Sequence, residues 1–336
     1  MITLVAIVVA LAPNPTDLHF APAKGTELRK TFTERTSWTL KSAERGGSAQ
    51  DVPDMTCQQE RRLVAVDRYL AIEDGVPTKL TRELESIGGS CSLDFKIPNA
   101  SDAVELRLES ELSGAKLAIE RKDAKSEPSI KFAGDSRASS MQIEGLREDL
   151  DLRAFLTETG LDVGDHWKVD AATLTDVLAP GGELRRWIPR GAIDAGALKV
   201  LTPSQIISCS LCSLADGAGV PEGDVLCTWK QTKKEDGAEL AVIELEWDGH
   251  SRSDVDEAWA RACKAAGVKE ERGVSPTFAW TSEGKGELVW DLKAGHARSL
   301  ALDLESRIEV RTNEPDGEWH YGIEAKSTLT AKFETK

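Results

Sequence analysis

The sequence predicts an α+β protein in which two antiparallel β-meanders of long, curved strands flank a helical connecting segment. Three observations predict it. From Leu300 the even positions run Leu300, Leu302, Leu304, Ile308, Val310, with Asp303, Glu305, Arg307, Glu309 and Arg311 between them. From Trp319 the odd positions run Trp319, Tyr321, Ile323, Ala325, Leu329, Ala331, Phe333. Period two marks a strand with one face in a core and one in water. Asn313-Glu314-Pro315-Asp316-Gly317 between the two runs is turn chemistry, so the last stretch is a long hairpin. The same alternation opens the chain, where Leu28, Phe32, Trp38 and Leu40 oppose Arg29, Thr31, Thr33, Arg35 and Thr39. In the middle the period lengthens: Leu146, Leu150, Leu152, Phe155 and Leu156 recur at mostly helical spacing.

The elements follow in order. After the opening strand come strands over 63–72, 79–87, 103–112 and 116–121, with Glu73-Asp74-Gly75-Val76-Pro77 and Ser113-Gly114 as turns. Gly160 closes the helical stretch, and Gly164 to Val169 reads as a short strand. Asp170 is the N-cap of a short helix through Leu178, which Pro180-Gly181-Gly182 stops. Thr202, Pro203 and Gln205 spell a capping box for a second helix, with Ile206, Ile207, Leu211 and Leu214 on its apolar face. Strands over 225–232 and 239–247 resume the β pattern. An amphipathic helix over 254–266 then sets Val255, Ala258, Trp259, Ala262, Cys263 and Ala266 on one face. Strands over 278–281 and 286–292 lead into the final hairpin.

A length of 336 residues implies about two domains and a core large enough to need no disulfide or metal. The division is a signal peptide over 1–12, a first meander over 20–140, a mixed helical segment over 141–220, and a second meander over 221–336. The signal reading rests on the apolar run Met1 to Ala12, which ends in the small-x-small pattern Ala10-Leu11-Ala12; a buried first strand is its alternative. The run is too short to span a bilayer as a mature helix, and no later segment is long and apolar enough to do so. The expected location is therefore outside the cytoplasm, periplasmic or extracellular. A formal net charge of -15 argues against nucleic acid and anionic membrane surfaces as partners.

The six cysteines, Cys57, Cys91, Cys209, Cys212, Cys227 and Cys263, are even in number, which suits an oxidising compartment. Cys57 and Cys91, the two in the first half, are expected to pair; the other four allow three connectivities. Cys209-Ser210-Leu211-Cys212 falls about two turns inside the Thr202-capped helix, where a helix dipole no longer activates a thiol. No second CxxC or paired histidines accompany it, so neither a redox motif nor a metal site is expected. The histidines His19, His166, His250, His296 and His320 are dispersed, and no nucleophile-elbow, HExxH or phosphate-loop pattern occurs. No catalytic residue and no cofactor is predicted. The tryptophans are numerous, nine against two tyrosines and seven phenylalanines, and Trp38, Trp229, Trp247, Trp290 and Trp319 fall on predicted strands. Core packing is the plain reading of these residues; the sharper one is the lining of an apolar groove that a curved sheet leaves open.

The pattern Gly286-Glu287-Leu288-Val289-Trp290-Asp291, Gly295, Ser299-Leu300-Ala301-Leu302 resembles one found in exported bacterial β-rich proteins of unknown function. Asp67-Arg68-Tyr69 followed by Asp74-Gly75-Val76-Pro77 does so too. At the level of architecture, long curved meanders resemble the half-barrel lipoprotein carriers of the bacterial envelope. The resemblance implies export and a β-rich fold, and carries no catalytic residue. The expected function is non-enzymatic binding of a small molecule, lipid or envelope component in a curved-sheet groove lined by the strand tryptophans. A cell-surface structural or interaction protein is the second reading, and a hydrolase with a site assembled from sequence-distant residues the third.

Overall fold

Strand β1, Glu27–Arg45, buries Leu28, Phe32 and Trp38 on one side and turns Thr31, Arg35 and Ser37 the other way, as its alternation predicts. What the alternation does not announce is its partner. β1 pairs with the last strand, β13 (Gly317–Thr335), from Leu28 opposite Thr335 to Arg45 opposite Trp319. That pairing joins the beginning of the chain to its end and makes one sheet of both halves.

The computed structural model describes the chain except residues 1–17, 53, 98–99, 137, 157–159, 183, 185–219, 255–276 and 315–316. The remaining strands are β2 (Ser48–Ala49), β3 (Asp54–Glu73), β4 (Val76–Ile97), β5 (Ala100–Glu109), β6 (Lys116–Glu120) and β7 (Ser129–Phe132) in the first half. The second half adds β8 (His166–Asp170), β9 (Glu222–Glu235), β10 (Ala238–Asp254), β11 (Thr277–Asp291) and β12 (His296–Glu314). All belong to a 13-stranded antiparallel sheet ordered β7-β6-β4-β3-β1-β13-β12-β11-β10-β9-β8, with β2 beside β1 and β5 beside β4.

This overturns the α+β expectation of two separate meanders. Among the described residues the helical structure amounts to three 3-10 turns and one short helix, α1 (Thr175–Leu178). The stretch from Leu146 to Leu156 is not a helix, for two reasons. The carbonyls of Arg147 and Glu148 accept hydrogen bonds from Arg82 (3.0 and 2.6 Å) instead of helical N–H groups. Leu152 adopts a left-handed backbone, φ 60°, that an interior helical leucine would not. Asp170 does act as a cap: its carboxylate accepts from the Ala172 amide at 2.8 Å. The helices expected over 202–214 and 254–266, with Cys209, Cys212 and Cys263, lie outside the described residues.

The sheet curls. The Ala21 amide donates to the Gly295 carbonyl at 2.9 Å, and a Cβ on Gly75 would stand 3.5 Å from the Phe20 carbonyl oxygen. Gly75 lies in the β3–β4 turn and Gly295 in the β11–β12 turn, with β1 and β13 between those pairs. One short segment reaches both turns only if the apolar face is concave at that end. Inside the curl lie the stretches 146–156 and 171–182, on either side of β8: Leu150, Leu152, Phe155, Leu174, Val177 and Leu178 share one core with Leu28, Phe32, Leu63, Leu300 and Leu329 of the strands. The outer face carries the charges, cross-paired as in Lys326–Glu305 (2.6 Å) and Lys285–Glu246 (3.1 Å).

Cys57 and Cys91 meet as diagonal neighbours on β3 and β4, their sulfurs 3.3 Å apart in hydrogen-bond contact. Cys227 is buried apart from them, its thiol pushed up to about 12 by burial. Mild oxidation should therefore link Cys57 to Cys91, lowering the intact mass by two hydrogens, and should leave Cys227 unchanged. As they lie 34 positions apart, the link should add about 3–4 kcal/mol of stability by loop-closure entropy, read as a shift in the urea midpoint.

Candidate functional site

Charged residues at apolar-face positions are the first anomaly. Lys30 on β1 follows Leu28 and precedes Phe32 on the inward parity, and Asp67 on β3 lies between Ala65 and Tyr69. Both are fully buried. Lys30 Nζ reaches Asp67 and Asp151, each at 2.7 Å. Arg82 of β4 clamps both Asp67 oxygens, Nε to Oδ1 and Nη2 to Oδ2, at 2.7 Å. The Tyr69 hydroxyl donates to Asp151 at 2.5 Å, and the Tyr69 ring faces Lys30 at 5.4 Å. One layer out, Glu148 accepts from Arg121 (2.8 Å) and Arg153 (2.7 Å). The sheet supplies Lys30, Asp67, Tyr69 and Arg82; the segment inside the curl supplies Glu148, Asp151 and Arg153. The cluster bolts one to the other.

Its electrostatics follow from burial and pairing. Burial alone would raise the Asp67 carboxyl, but Arg82 and Lys30 outweigh it and hold the group at about 2. Burial pushes Glu148 above the usual carboxylate range against the pull of Arg153. Burial and the Asp151 carboxylate raise Tyr69, so its phenol keeps its proton and donates. Lys30, Asp67, Tyr69, Arg82, Glu148 and Asp151 are 0–3% exposed, with Arg121 and Arg153 partly exposed at the edge, and the arrangement is one of fastening.

The predicted tryptophans are spread along the inner face. Trp38 on β1, Trp229 on β9, Trp247 on β10 and Trp290 on β11 are all buried. Trp229 donates its indole N–H to the Gln231 carbonyl at 3.0 Å. Trp247 packs against Trp280 of β11, centroids 5.1 Å apart and planes tilted by 43°. Trp319 is half-buried at the far rim, stacked on Tyr321 at 5.7 Å with Arg45 5.9 Å from its ring centre. The sheet thus brings Trp229, Trp247 and Trp290 onto three adjacent strands and leaves Trp38 and Trp319 elsewhere. Trp280 is the functional candidate that sequence reasoning passed over, although it shares parity with Phe278. Among the described residues the indole nitrogens of Trp247, Trp280 and Trp290 and the Ser251 hydroxyl are buried without a hydrogen-bond partner.

The outer face offers open concavity. Three depressions of about 900, 580 and 800 Å³ adjoin one another through shared residues, Ser37 and Lys326 first, then Asp248, Glu283 and Glu305. The first is lined by Gln58, Ser90 and Arg107 of β3, β4 and β5; the last ends at Lys168 of β8. The first two depressions are lined mainly by polar and charged side chains, and the third adds Leu226 and Trp247. His250 meets Glu222 at 3.4 Å and His320 meets Glu309 at 3.5 Å, but neither histidine lines the trough. His296 is buried, its Nδ1 2.7 Å from the Ala297 carbonyl. Among the described residues no group of histidine, cysteine and carboxylate side chains is placed to hold a metal ion, and no helix is long and apolar enough to cross a membrane.

No protein-family model and no curated protein matches the chain. Among solved structures it is similar to the outer membrane protein OprG of Pseudomonas aeruginosa, at 8% identity over 95% of this chain and 100% of that one, with a TM-score of 0.22. It is also similar to a FadL homologue of Pseudomonas aeruginosa, at 8% identity over 92% of this chain and 90% of that one, with a TM-score of 0.18. The likeness to outer membrane β-barrel proteins is weak, and scores of this size carry no argument about fold or function.

Replacing Asp67 by Asn leaves Lys30 and Arg82 buried without their shared counter-charge. The variant should lose about 3–5 kcal/mol in urea unfolding, whereas Lys326→Ala, which breaks an exposed pair, should lose under about 1 kcal/mol. The pH profile follows from the lowered carboxyl. Asp67 contributes stability above the ordinary carboxylate value, and that contribution drains away as pH falls towards about 2. Glu148, with its raised carboxyl, acts in the opposite sense and becomes less costly as it protonates. Acid titration followed by circular dichroism should show a steeper loss in the natural protein than in Asp67→Asn.

Proposed function

We propose that the protein is an exported, non-enzymatic binding protein that holds a small molecule, lipid or envelope component against the concave apolar face of its sheet. The observation that carries this reading is the group of buried, unpaired donors on β10 and β11 beside the Trp247–Trp280 pair. Buried donors are ordinarily satisfied, and a face that keeps several unsatisfied is built to receive an acceptor. The ionic cluster supports it: fastening the 146–153 stretch into one end of the curl fixes the sheet's curvature, and a fixed concavity binds at lower entropic cost. The strand tryptophans Trp229, Trp247 and Trp290 are the lining residues of this reading, with Trp38 and Trp319 further along the same face. Export rests on the apolar residues 1–12 and on the even number of cysteines.

A second reading, a cell-surface interaction protein, is favoured by the outer trough. Its serine, threonine, glutamine and charged lining suits a polar partner such as a protein loop or a glycan rather than a lipid.

The two readings part on one experiment. Protein purified from its native envelope fraction is extracted with organic solvent, and the extract is analysed by mass spectrometry. A compound present at one equivalent per chain is the expected result. An empty extract would shift the assignment to the outer trough and a macromolecular partner.

A further inference from the structure

We propose that the outer edge of β5 docks a second copy of this chain, the two β5 strands pairing antiparallel about a two-fold axis through Leu106. The pairing is independent of what the inner face binds.

Topology leaves β5 one-sided. β4 carries two strands along the same edge, β6 over 79–83 and β5 over 88–97. β7 covers β6, and among the described residues no strand covers β5. Every second residue of β5 therefore turns its N–H and C=O away from the sheet, the template that an added strand completes. The other margins are shorter or guarded. β7 and β8 have four and five residues, and β9 beyond its pairing with β8 carries Lys230, Lys233 and Lys234. β5 has ten residues and no lysine.

The charges on β5 identify its partner. Elsewhere the outer face pairs charges across neighbouring strands, as in Arg35 with Glu60 (2.8 Å), Lys79 with Glu120 (2.7 Å) and Lys96 with Asp54 (3.4 Å). β5 breaks the pattern. On β4, Glu105 stands opposite Ser92 and Arg107 opposite Ser90, so neither meets an opposite charge there. Among the described residues Glu105 forms no ion pair. Arg107 reaches Glu109 of its own strand at 3.7 Å, and its side chain stays 82% exposed.

A second β5 running the other way supplies both opposites. With Leu106 on the axis, Glu105 of each copy stands opposite Arg107 of the other, and Val104 opposite Leu108. Faces match as well: the charged positions meet on the outer side, and the apolar ones on the inner side, where Leu106 and Leu108 are buried. The register is specified. Sliding one strand by two residues sets Glu105 against Glu105 or Arg107 against Arg107, and sliding it by one sets charged positions against apolar ones. The contact uses the same patch on both copies and closes on itself, so it makes a dimer and nothing larger.

The test is sedimentation equilibrium of the full chain over about 1–100 μM, the range a small interface calls for. A monomer–dimer equilibrium is expected. Arg107→Glu sets carboxylates against each other at both junctions, and Glu105→Arg does the same with guanidinium groups. Each variant alone should weaken dimerisation about 10-fold or more. An equimolar mixture of the two should restore it, because every junction of the mixed pair joins opposite charges. That recovery also shows that both variants are folded. A chain that stays monomeric over the whole range overturns the proposal, as does a dimer that neither reversal weakens. Folded variants, by circular dichroism, that do not recover on mixing overturn it too.

Discussion

The Asp67 carboxylate is the constraint on which the rest of the molecule turns. It sits on the inner face of β3, out of reach of water, and survives there as an anion because β1 and β4 bring a lysine and an arginine to it from either side. An ion pair so buried is poor evidence of net stability, since two apolar residues could pack the same space at no desolvation cost. Its consequence is positional. Arg82 has further donors, and these take the carbonyls of Arg147 and Glu148; Lys30 has a second carboxylate, and that is Asp151. A register slip in β1, β3 or β4, or any other path for the 146–153 segment, would strand at least one charge in the core. The cluster selects one arrangement among the many that an evenly apolar sheet face would tolerate.

That selection bears on the curl. Long antiparallel strands twist, and a sheet of 13 strands must coil or flatten to persist. Here the coil is filled at one end by the segment that the ionic cluster holds, and spanned by the Leu18–Ala21 stretch that touches turns of two distant strand pairs. The end strands β7 and β8 are short, as edge strands that avoid uncontrolled pairing commonly are.

Strand positions were legible because the side-chain period is two and one face is buried: β1, β12 and β13 follow the alternation almost residue by residue. The single sheet was not legible. The pairing of β1 with β13 joins residues some 300 positions apart, and both strands would show the same alternation with other partners. The break between Phe278–Thr281 and Gly286–Leu292 was an illusion of composition: Gly284 leaves a gap in the apolar pattern, but Leu304 of the next strand fills the space above it. The leucines after Gly145 show helical spacing because they touch a concave surface from within, and the hydrogen bonds that decide their backbone come from Arg82, far away in sequence. Lys30 and Asp67 could have been singled out as parity violations. Nothing local says that one answers the other. The tryptophans were visible, yet the unpaired state of their N–H groups exists only once the neighbours are placed.

Buried polarity is handled in two ways on the same face. Near the filled end, the charges on Lys30, Asp67, Arg82 and Asp151 each find an opposite within 2.7 Å, although Asp151 Oδ2 and Glu148 Oε1 are buried without a hydrogen-bond partner among the described residues. Across β10 and β11 the polar groups are neutral, fewer, and left with donors to spare. An unpaired charge at that depth would be costly, so each charge in the first region has its opposite within the protein itself. An unpaired indole N–H or hydroxyl costs far less than an unpaired charge.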